Sequence, residues 1–362
     1  MSYPTLIKPP PPSGTKAPIE DVLELTHLED INPNLFTNTR PLWHPPGARG
    51  IYGGAAIAQC LAAAQRTVPK GFLAHSMHCY FVLNGNSEVP VIYHVERVRE
   101  GRSFATRTVQ ARQRGQPIFT TTISFMRAGS GGKKTVSHAP RMPEFPPPLE
   151  EEPEDQFRGK HSPFVSQRTK VHGEKEGWQP QDRRTRQWIK AKGKISDEGG
   201  YEAHTSALAY MSDSYFIGTV SRVHKLWRFT SGKLPQGIKP SQLKYMQSLS
   251  DEQLRDQSLD DDMIEQLRNV TIDAQGHVVP NQVASGRPEI GMMVSLDHTI
   301  YFHNPQSFRA DDWIFTECQS PWAGDGRGLV HQRMYTRDGV LIATCIQEGL
   351  VRLKQDTPAS KL

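Results

Sequence analysis

The sequence predicts an α+β protein built from two similar units, each a buried helix followed by antiparallel strands. The chain has 362 residues, and at roughly 100–200 residues per domain two domains are expected. Each half contains an apolar run of strong helix formers, followed by segments with the alternating, β-branched composition of strands. Short residue pairs also recur in the same order in both halves, which indicates an internal duplication.

The first unit is predicted over residues 15–127. Gly53 and Gly54 precede the alanine-rich run 55–64, and a helix is expected to begin there. Because this helix has so few polar residues, it is predicted to be buried on nearly all sides. The predicted strands are His78–Leu83, Val89–Glu100, Ser103–Arg112 and Pro117–Met126. One buried helix followed by consecutive antiparallel strands is the pattern of a hot-dog unit, in which a curved sheet wraps around a central helix.

The second unit is predicted over residues 186–353, after a connector over residues 128–185. The connector is rich in proline, glycine and charged residues, which favours a solvated linker. A strand is then expected at Arg186–Lys194 and a helix at Tyr201–Phe216. The later strands are predicted at Met292–His303, Trp313–Ser320, Gly328–Thr336 and Val340–Arg352. The order of the first half is thus repeated, and the sequence predicts a double hot-dog fold.

Three pairs of short motifs carry the duplication. They are Tyr80-Phe81 with Tyr301-Phe302, Gly101-Arg102 with Gly326-Arg327, and Gly115 with Gly339. An insertion of about residues 221–288 then separates the second helix from the strands after it. Within it, Ser250 and Gln253 have the spacing of a capping box, and an amphipathic helix is expected to follow. The acidic run Asp260–Asp262 is interpreted as a solvated face of this helix and not as a metal site.

Composition narrows the class of protein. The net charge of +5 suits an anionic ligand such as a nucleotide-bearing thioester, and is too small to indicate nucleic-acid binding. No apolar run approaches the ~20 residues that a membrane-spanning helix needs. The four cysteines form no C-x-x-C pair and are interpreted as buried thiols. Neither a nucleophile elbow nor a nucleotide-binding glycine motif is present, so we expect no cofactor and no metal.

The last residues, 354–362, form a polar tail that ends in Ser360, Lys361 and Leu362. Ser-Lys-Leu at a C-terminus is an address read by the peroxisomal import receptor. The sequence therefore predicts that the import receptor is a partner and that the protein is located in the peroxisomal matrix. This compartment handles fatty acyl-CoA, so the address suits an enzyme of that chemistry.

Ordered motifs between Gly50 and Arg352 resemble the TesB-type, or type II, acyl-CoA thioesterases, and most of all their fungal peroxisomal members. The first unit carries GIYGG at 50–54, HSMHCYFV at 75–82 and RVREGRSFATR at 97–107. The second carries AYMSD at 209–213, SLDHTIYFHNP at 295–305, GRGL at 326–329 and IQEGLVR at 346–352. The resemblance implies a double hot-dog homo-oligomer that hydrolyses acyl-CoA to fatty acid and CoA. The insertion departs from the bacterial pattern.

The resemblance also implies a catalytic set drawn from the second unit: Asp213, Ser295 and Gln347. Ser295 stands where bacterial members usually have Thr, and the change keeps the hydroxyl. Asp213 is expected to act as general base on a water molecule, which Ser295 and Gln347 hold by hydrogen bonds. Asp297 and His298 lie in the same motif and are interpreted as structural or supporting residues.

Two other functions remain open from the sequence. One is an acyl-CoA-binding or scaffold protein without catalytic activity, which release of a free thiol from a CoA thioester would distinguish. The other is a hot-dog enoyl-CoA hydratase. That chemistry usually pairs an Asp with a His a few residues later in the same helix, but after Asp213 the next His is His224.

Overall fold

The structure is a computed structural model that describes residues 9–45, 48–149, 162–173, 177–227, 240–256, 259–274, 278–280 and 287–355. Within these ranges, no helix combines the length and apolar character that crossing a bilayer requires. The predicted targeting tripeptide, at residues 360–362, lies outside the described residues.

The first half folds as the sequence predicts, with one long helix and a run of antiparallel strands. Its helices are α1 (Pro18–Leu23) and α2 (Gly53–Gln65). Its strands are β1 (Leu25–His27), β2 (Leu35–Asn38), β3 (Phe72–Phe81), β4 (Ile92–Glu100), β5 (Phe104–Gln113) and β6 (Gln116–Arg127). Eleven of the thirteen residues of α2 are buried, which confirms the prediction of a helix enclosed on nearly all sides.

The second half repeats this order around the insertion. It begins with β7 (Phe164–His172), β8 (Arg184–Ala191) and the helix α3 (Gly200–Ser212). The insertion contributes α4 (Gly218–Val223), α5 (Pro240–Ser248), α6 (Asp251–Asp256), α7 (Asp261–Arg268), β9 (Val270–Ile272) and β10 (Val278–Pro280). The last strands are β11 (Ile290–Ser295), β12 (Asp297–Phe302), β13 (Ile314–Gly324), β14 (Arg327–Thr336) and β15 (Leu341–Leu353). The single strand predicted at Met292–His303 is therefore two strands.

One continuous antiparallel sheet joins the two halves. Its order is β1-β2-β4-β5-β6-β3-β12-β15-β14-β13-β8-β7, with β11 also paired to β15. The two halves of this order are mirror images about the β3–β12 pair, where His78 lies opposite Thr299. The pairing places Tyr80 and Tyr301 at equivalent positions, as the matched motifs predict. The double hot-dog fold is confirmed.

The two central helices pack directly against each other beneath this sheet. Gly54 of α2 lies so close to α3 that a Cβ atom on it would be 2.3 Å from the carbonyl oxygen of Tyr210. The Tyr52 hydroxyl donates a 3.0 Å hydrogen bond to that carbonyl. Burial of both helices in one shared core explains why the sequence needs small residues at the start of α2.

The segment predicted as a connector contains a strand that the sequence analysis did not foresee. Strand β7 lies at residues 164–172 and pairs with β8, so it extends the sheet at its outer edge. Strand β8 begins at Arg184, two residues before the predicted unit boundary. The boundaries of the two units themselves stay a prediction.

The insertion forms a small core of its own. Trp227, Leu254 and Leu267 are among its buried apolar residues. The capping box is confirmed, since the Ser250 amide donates to Gln253 Oε1 at 2.8 Å and the Gln253 amide donates to Ser250 Oγ at 3.1 Å. The predicted amphipathic helix is divided between α6 and α7, with residues 257–258 between them outside the described part.

The prediction of a solvated acidic face is wrong. Asp260 is 2% exposed and Asp262 is 8% exposed. Asp260 accepts a 2.9 Å hydrogen bond from Arg222 Nε and caps α7 by accepting from the Met263 amide. Asp262 pairs with Arg287. These two ion pairs join the start of α7 to the two ends of the insertion.

Candidate active site

A cavity of about 530 Å³ lies between the two units, and Asp213 and Ser295 of the second unit are among its lining residues. Its walls come from the segment before α2 and the first turn of that helix, the end of β3, the start of β6, and strand β11. The apolar lining residues are Ile51, Tyr52, Phe81, Val82, Leu83, Ile118, Phe119, Met292, Met293, Val294 and Leu296. Asp213 and Ser295 line the same cavity together with Arg49 and Asn84, so polar side chains accompany the apolar ones.

Asp213 is the C-cap residue of α3, and its carboxyl group faces the first turn of α2. Its Oδ1 accepts a 2.9 Å hydrogen bond from Gln347 Nε2, and the backbone N–H of Gly54 donates to the same carboxyl group. Gly53 must lack a side chain, because a Cβ atom there would lie 2.7 Å from Asp213 Oδ2. The first unit thus supplies part of the environment of the acid, which the sequence placed in the second unit alone.

Burial raises the pKa of Asp213 from 3.8 to about 6, because the charged carboxylate is poorly solvated there. The hydrogen bonds from Gln347 and Gly54 oppose this and hold the pKa below the value that burial alone would give. The N-terminal end of α2 also carries partial positive charge, which favours an anion at that place. The result is a carboxyl group that is largely ionised at neutral pH and still basic enough to accept a proton.

Gln347 lies on β15 and is fully buried behind Asp213. Its Nε2 group donates to Asp213 Oδ1, and it also lies 3.0 Å from Nδ1 of His298. Its Oε1 atom is buried and has no hydrogen-bond partner within the described residues. The amide therefore has one acceptor atom that no described residue uses, which is unusual for a buried polar group.

His298 and Ser212 complete the network on the side of Gln347 away from Asp213. Both are fully buried, and His298 Nε2 lies 3.0 Å from Ser212 Oγ. Burial lowers the pKa of His298 to about 3, so the ring is neutral. From the sequence, His298 was interpreted as a structural or supporting residue, and Ser212 was not singled out. The signal available was the His two residues after Leu296 in the same motif as Ser295.

Ser295, the third predicted residue, is the last residue of β11. It lies opposite Gly349 of β15 and borders the cavity with Asp213. Its hydroxyl makes no hydrogen bond with another described residue, in contrast to the bonded Asp213–Gln347 pair. The structure therefore brings all three predicted residues to one region, with two of them in direct contact and the hydroxyl of the third available.

The first unit has apolar residues at the corresponding places. The symmetry of the β3–β12 pair makes Met77 the equivalent of His298, and Ile123 of β6 lies opposite Met77. Gln347 occupies the matching position on β15, since Thr299 lies opposite Ile346 there. An apolar pair thus replaces the His–Gln pair, and the described network is present in the second unit only.

The fold and the site define a double hot-dog protein in which a buried carboxyl–amide pair lies beside a cavity. Comparison with protein families gives the same class: the acyl-CoA thioesterase N-terminal domain matches residues 40–126, and the acyl-CoA thioesterase C-terminal domain matches residues 143–351. The chain belongs to the TesB-type acyl-CoA thioesterases.

Individual relatives agree over nearly the whole chain. Acyl-coenzyme A thioesterase 8 of Mus musculus is 33% identical over 94% of this chain and 92% of its own length. Acyl-CoA thioesterase 2 of Haemophilus influenzae is 29% identical over 93% of this chain and 99% of its own. The crystal structure of the acyl-CoA thioesterase II TesB2 from Mycobacterium marinum is 26% identical, with a TM-score of 0.61 over 94% of this chain and 99% of that one. These matches favour a thioester hydrolase over the hydratase and the inactive binding protein.

Proposed function

We propose that the protein hydrolyses acyl-CoA by a water molecule that Asp213 activates and that Ser295 and Gln347 hold in place. The observation that carries the proposal is the Asp213–Gln347 hydrogen bond, with Asp213 in the lining of the cavity. The Ser295 hydroxyl and Gln347 Oε1 both have hydrogen-bonding capacity that no described residue uses. A water between them and Asp213 would satisfy all three groups.

The reaction needs no covalent enzyme intermediate. The water oxygen attacks the thioester carbonyl carbon while its proton passes to the Asp213 carboxylate. The negative charge that develops on the carbonyl oxygen is proposed to lie near the first turn of α2, because Gly53 and Ala56 line the cavity there and a helix N-terminus carries partial positive charge. Collapse of the tetrahedral intermediate breaks the carbon–sulfur bond, and the proton held by Asp213 passes to the departing CoA sulfur. The products are a carboxylic acid and CoA.

The apolar lining supports a fatty acyl group as the part of the substrate inside the cavity. Phe81, Leu83, Phe119 and Met292 remove hydrocarbon from water there. The nucleotide of CoA would then lie outside, on the side of the cavity where Arg49 is exposed. The segment that contains Arg49 thus offers positive charge to the phosphates.

The proposal is tested with Asp213→Asn. Release of free CoA thiol from medium- and long-chain acyl-CoA is expected to fall by about 10²–10⁴-fold, the usual contribution of a positioned general base. In the unaltered protein, the rate is expected to rise with pH through about 6 and to level off above it, as Asp213 ionises. Asp325→Asn removes an exposed carboxylate of the same unit and serves as the control. Full activity of a folded Asp213→Asn protein would contradict the proposed mechanism.

We also propose that this hydrolysis takes place in peroxisomes. The support is the tripeptide Ser360-Lys361-Leu362 and a relative in Saccharomyces cerevisiae named peroxisomal acyl-coenzyme A thioester hydrolase 1, which is 26% identical over 94% of this chain. Deleting the three residues is expected to move a fluorescent fusion, tagged at its N-terminus, from peroxisomes to the cytosol and to leave hydrolysis in vitro unchanged. Continued peroxisomal import would contradict the proposal.

A further inference from the structure

We propose that His298 and Ser212 are positioning residues for the hydrolysis, and that they act through Gln347 by fixing which end of its amide faces Asp213. This inference rests on the proposed function of Asp213. It adds two buried residues that touch neither the cavity nor the carboxyl group. The structure joins them to Asp213 through one unbroken line of hydrogen bonds.

One set of bond directions satisfies the whole line. The Ser212 hydroxyl donates to the carbonyl oxygen of Ala209 at 2.9 Å, which leaves its oxygen to accept. With that direction, His298 Nε2, 3.0 Å away, carries the proton and donates to it. The neutral ring has one proton, so Nδ1 is an acceptor, and Gln347 Nε2 donates to it at 3.0 Å. The second proton of that amide nitrogen goes to Asp213 Oδ1.

This order decides what Asp213 meets. If the amide of Gln347 turned over, its Oε1 would face Asp213, and the two oxygens would repel unless the carboxyl group were protonated. With His298 as an acceptor at Nδ1, the turned amide would also lose its bond to the ring. The ring and the serine therefore stabilise the one amide orientation in which the ionised, basic form of Asp213 is hydrogen-bonded.

The surroundings keep His298 in this state. The ring packs edge-on against Phe216, with 5.3 Å between ring centroids. The titratable groups around it are the thiols of Cys79 on β3 and Cys345 on β15, together with Asp297 beside it and Asp213 beyond the amide. Burial raises the pKa of both thiols, so they remain neutral and add no charge. The Asp297 carboxyl group accepts from the backbone N–H of Glu348 instead.

The first unit provides an internal comparison. Met77 and Ile123 stand where the second unit has His298 and Gln347. A fold of this kind thus packs without polar groups at the two positions. Stability alone does not require a buried histidine here, since burying polar groups costs free energy unless they are bonded.

The experiment compares His298→Leu with His298→Asn in the full chain. Leucine has no acceptor, whereas the side-chain oxygen of asparagine stands at the same distance from the backbone as Nδ1. For His298→Leu we expect kcat to fall about 10–100-fold with KM nearly unchanged, and the acid limb of the kcat–pH profile to move up by about one unit. His298→Asn is expected to restore most of kcat and the original limb. Met77→Leu, at the equivalent position of the first unit, is the control.

Ser212→Ala tests the far end of the line and keeps the proposal falsifiable if His298→Leu does not fold. Without the serine oxygen, His298 is free to carry its proton on Nδ1, and the acid limb is again expected to move up. Ser206→Ala removes another buried serine hydroxyl of α3, which bonds Gln65 and not His298, and its profile is expected to stay in place.

The outcomes separate this inference from the proposed function. Unshifted pH profiles in folded His298→Leu and Ser212→Ala, with Asp213→Asn inactive, would overturn the positioning role and leave the general base intact. An equal loss of kcat without a shift in His298→Leu and His298→Asn would indicate a structural role and would also overturn it. If Asp213→Asn is fully active, the proposed function itself fails.

Discussion

The ionised form of Asp213, which the proposed reaction needs, destabilises the folded protein. Its pKa is about 6 in the folded chain, against 3.8 for an ordinary aspartate. The folded protein therefore binds this proton more tightly than the unfolded chain does. Ionisation of this group therefore lowers the free energy of unfolding progressively as pH rises from about 4 to about 6. Above that range the full destabilisation is present.

Asp213→Asn is therefore expected to stabilise the protein at pH 8 while it removes activity. A shift of two pKa units corresponds to ~3 kcal/mol. Because asparagine keeps only one acceptor for Gln347 and Gly54, we expect a gain of about 1–2 kcal/mol in the free energy of unfolding. Urea denaturation at pH 8 and at pH 4 measures it. The gain must vanish at pH 4, and a gain that is independent of pH would contradict the assigned cause.

Gly53 is a second residue whose identity the geometry of the site constrains, because a side chain does not fit there. A Cβ atom would lie 2.7 Å from Asp213 Oδ2 and 2.8 Å from the Phe81 ring, closer than such atoms approach without displacement. Gly53→Ala is expected to move the acid and to lower kcat by about 10–100-fold, since small displacements at a reacting group are costly. Thiol release measures the loss. Gly131→Ala, where the nearest atom to a Cβ atom would be Thr135 Cγ2 at 4.0 Å, should leave the rate unchanged.

At the scale of elements, the sequence predicted the helices and strands whose residue patterns are local. Helix α2 and strands β3 to β6 follow from apolar runs, alternation and turn glycines close together in the chain. Strand β7 was missed because it is polar at several positions and pairs only at the sheet edge. The burial of Asp260 was missed because its partner, Arg222, is 38 residues away. The line from Ser212 to Gln347 joins three distant segments, and no local spacing reveals it.

The buried Arg222–Asp260 pair gives a prediction for the insertion. Asp260→Ala removes the cap of α7 and the carboxylate that pairs with the buried guanidinium group of Arg222. The expected loss in the free energy of unfolding is about 3–5 kcal/mol. Asp261→Ala breaks an exposed pair with Arg255, and about 0–1 kcal/mol is expected. Chemical denaturation measures both, and equal losses would show that burial of the first pair is not what matters.

At the scale of the whole molecule, the site depends on both units being present in one sheet. The α2 end that faces Asp213 belongs to the first unit, and Asp213, Ser295 and Gln347 belong to the second. The β3–β12 pair holds these parts in register. The first unit thus has the apolar pair Met77 and Ile123 at these positions, and it still provides the helix end that the other unit needs.

The outer face of the central strands β3 and β12 is the expected interface of the predicted homo-oligomer. Tyr80 is 61% exposed and Tyr301 is 39% exposed, and they flank the His78–Thr299 pair on the outer face of the sheet. A twofold interface repeats one patch on both partners, and exposed aromatic residues near such an axis suit it. Light scattering is expected to give a mass of at least twice 40.7 kDa. Tyr80→Glu with Tyr301→Glu should lower it to that of one chain, whereas Val136→Glu, at a fully exposed valine of the linker, should not. A monomeric starting protein would refute the prediction.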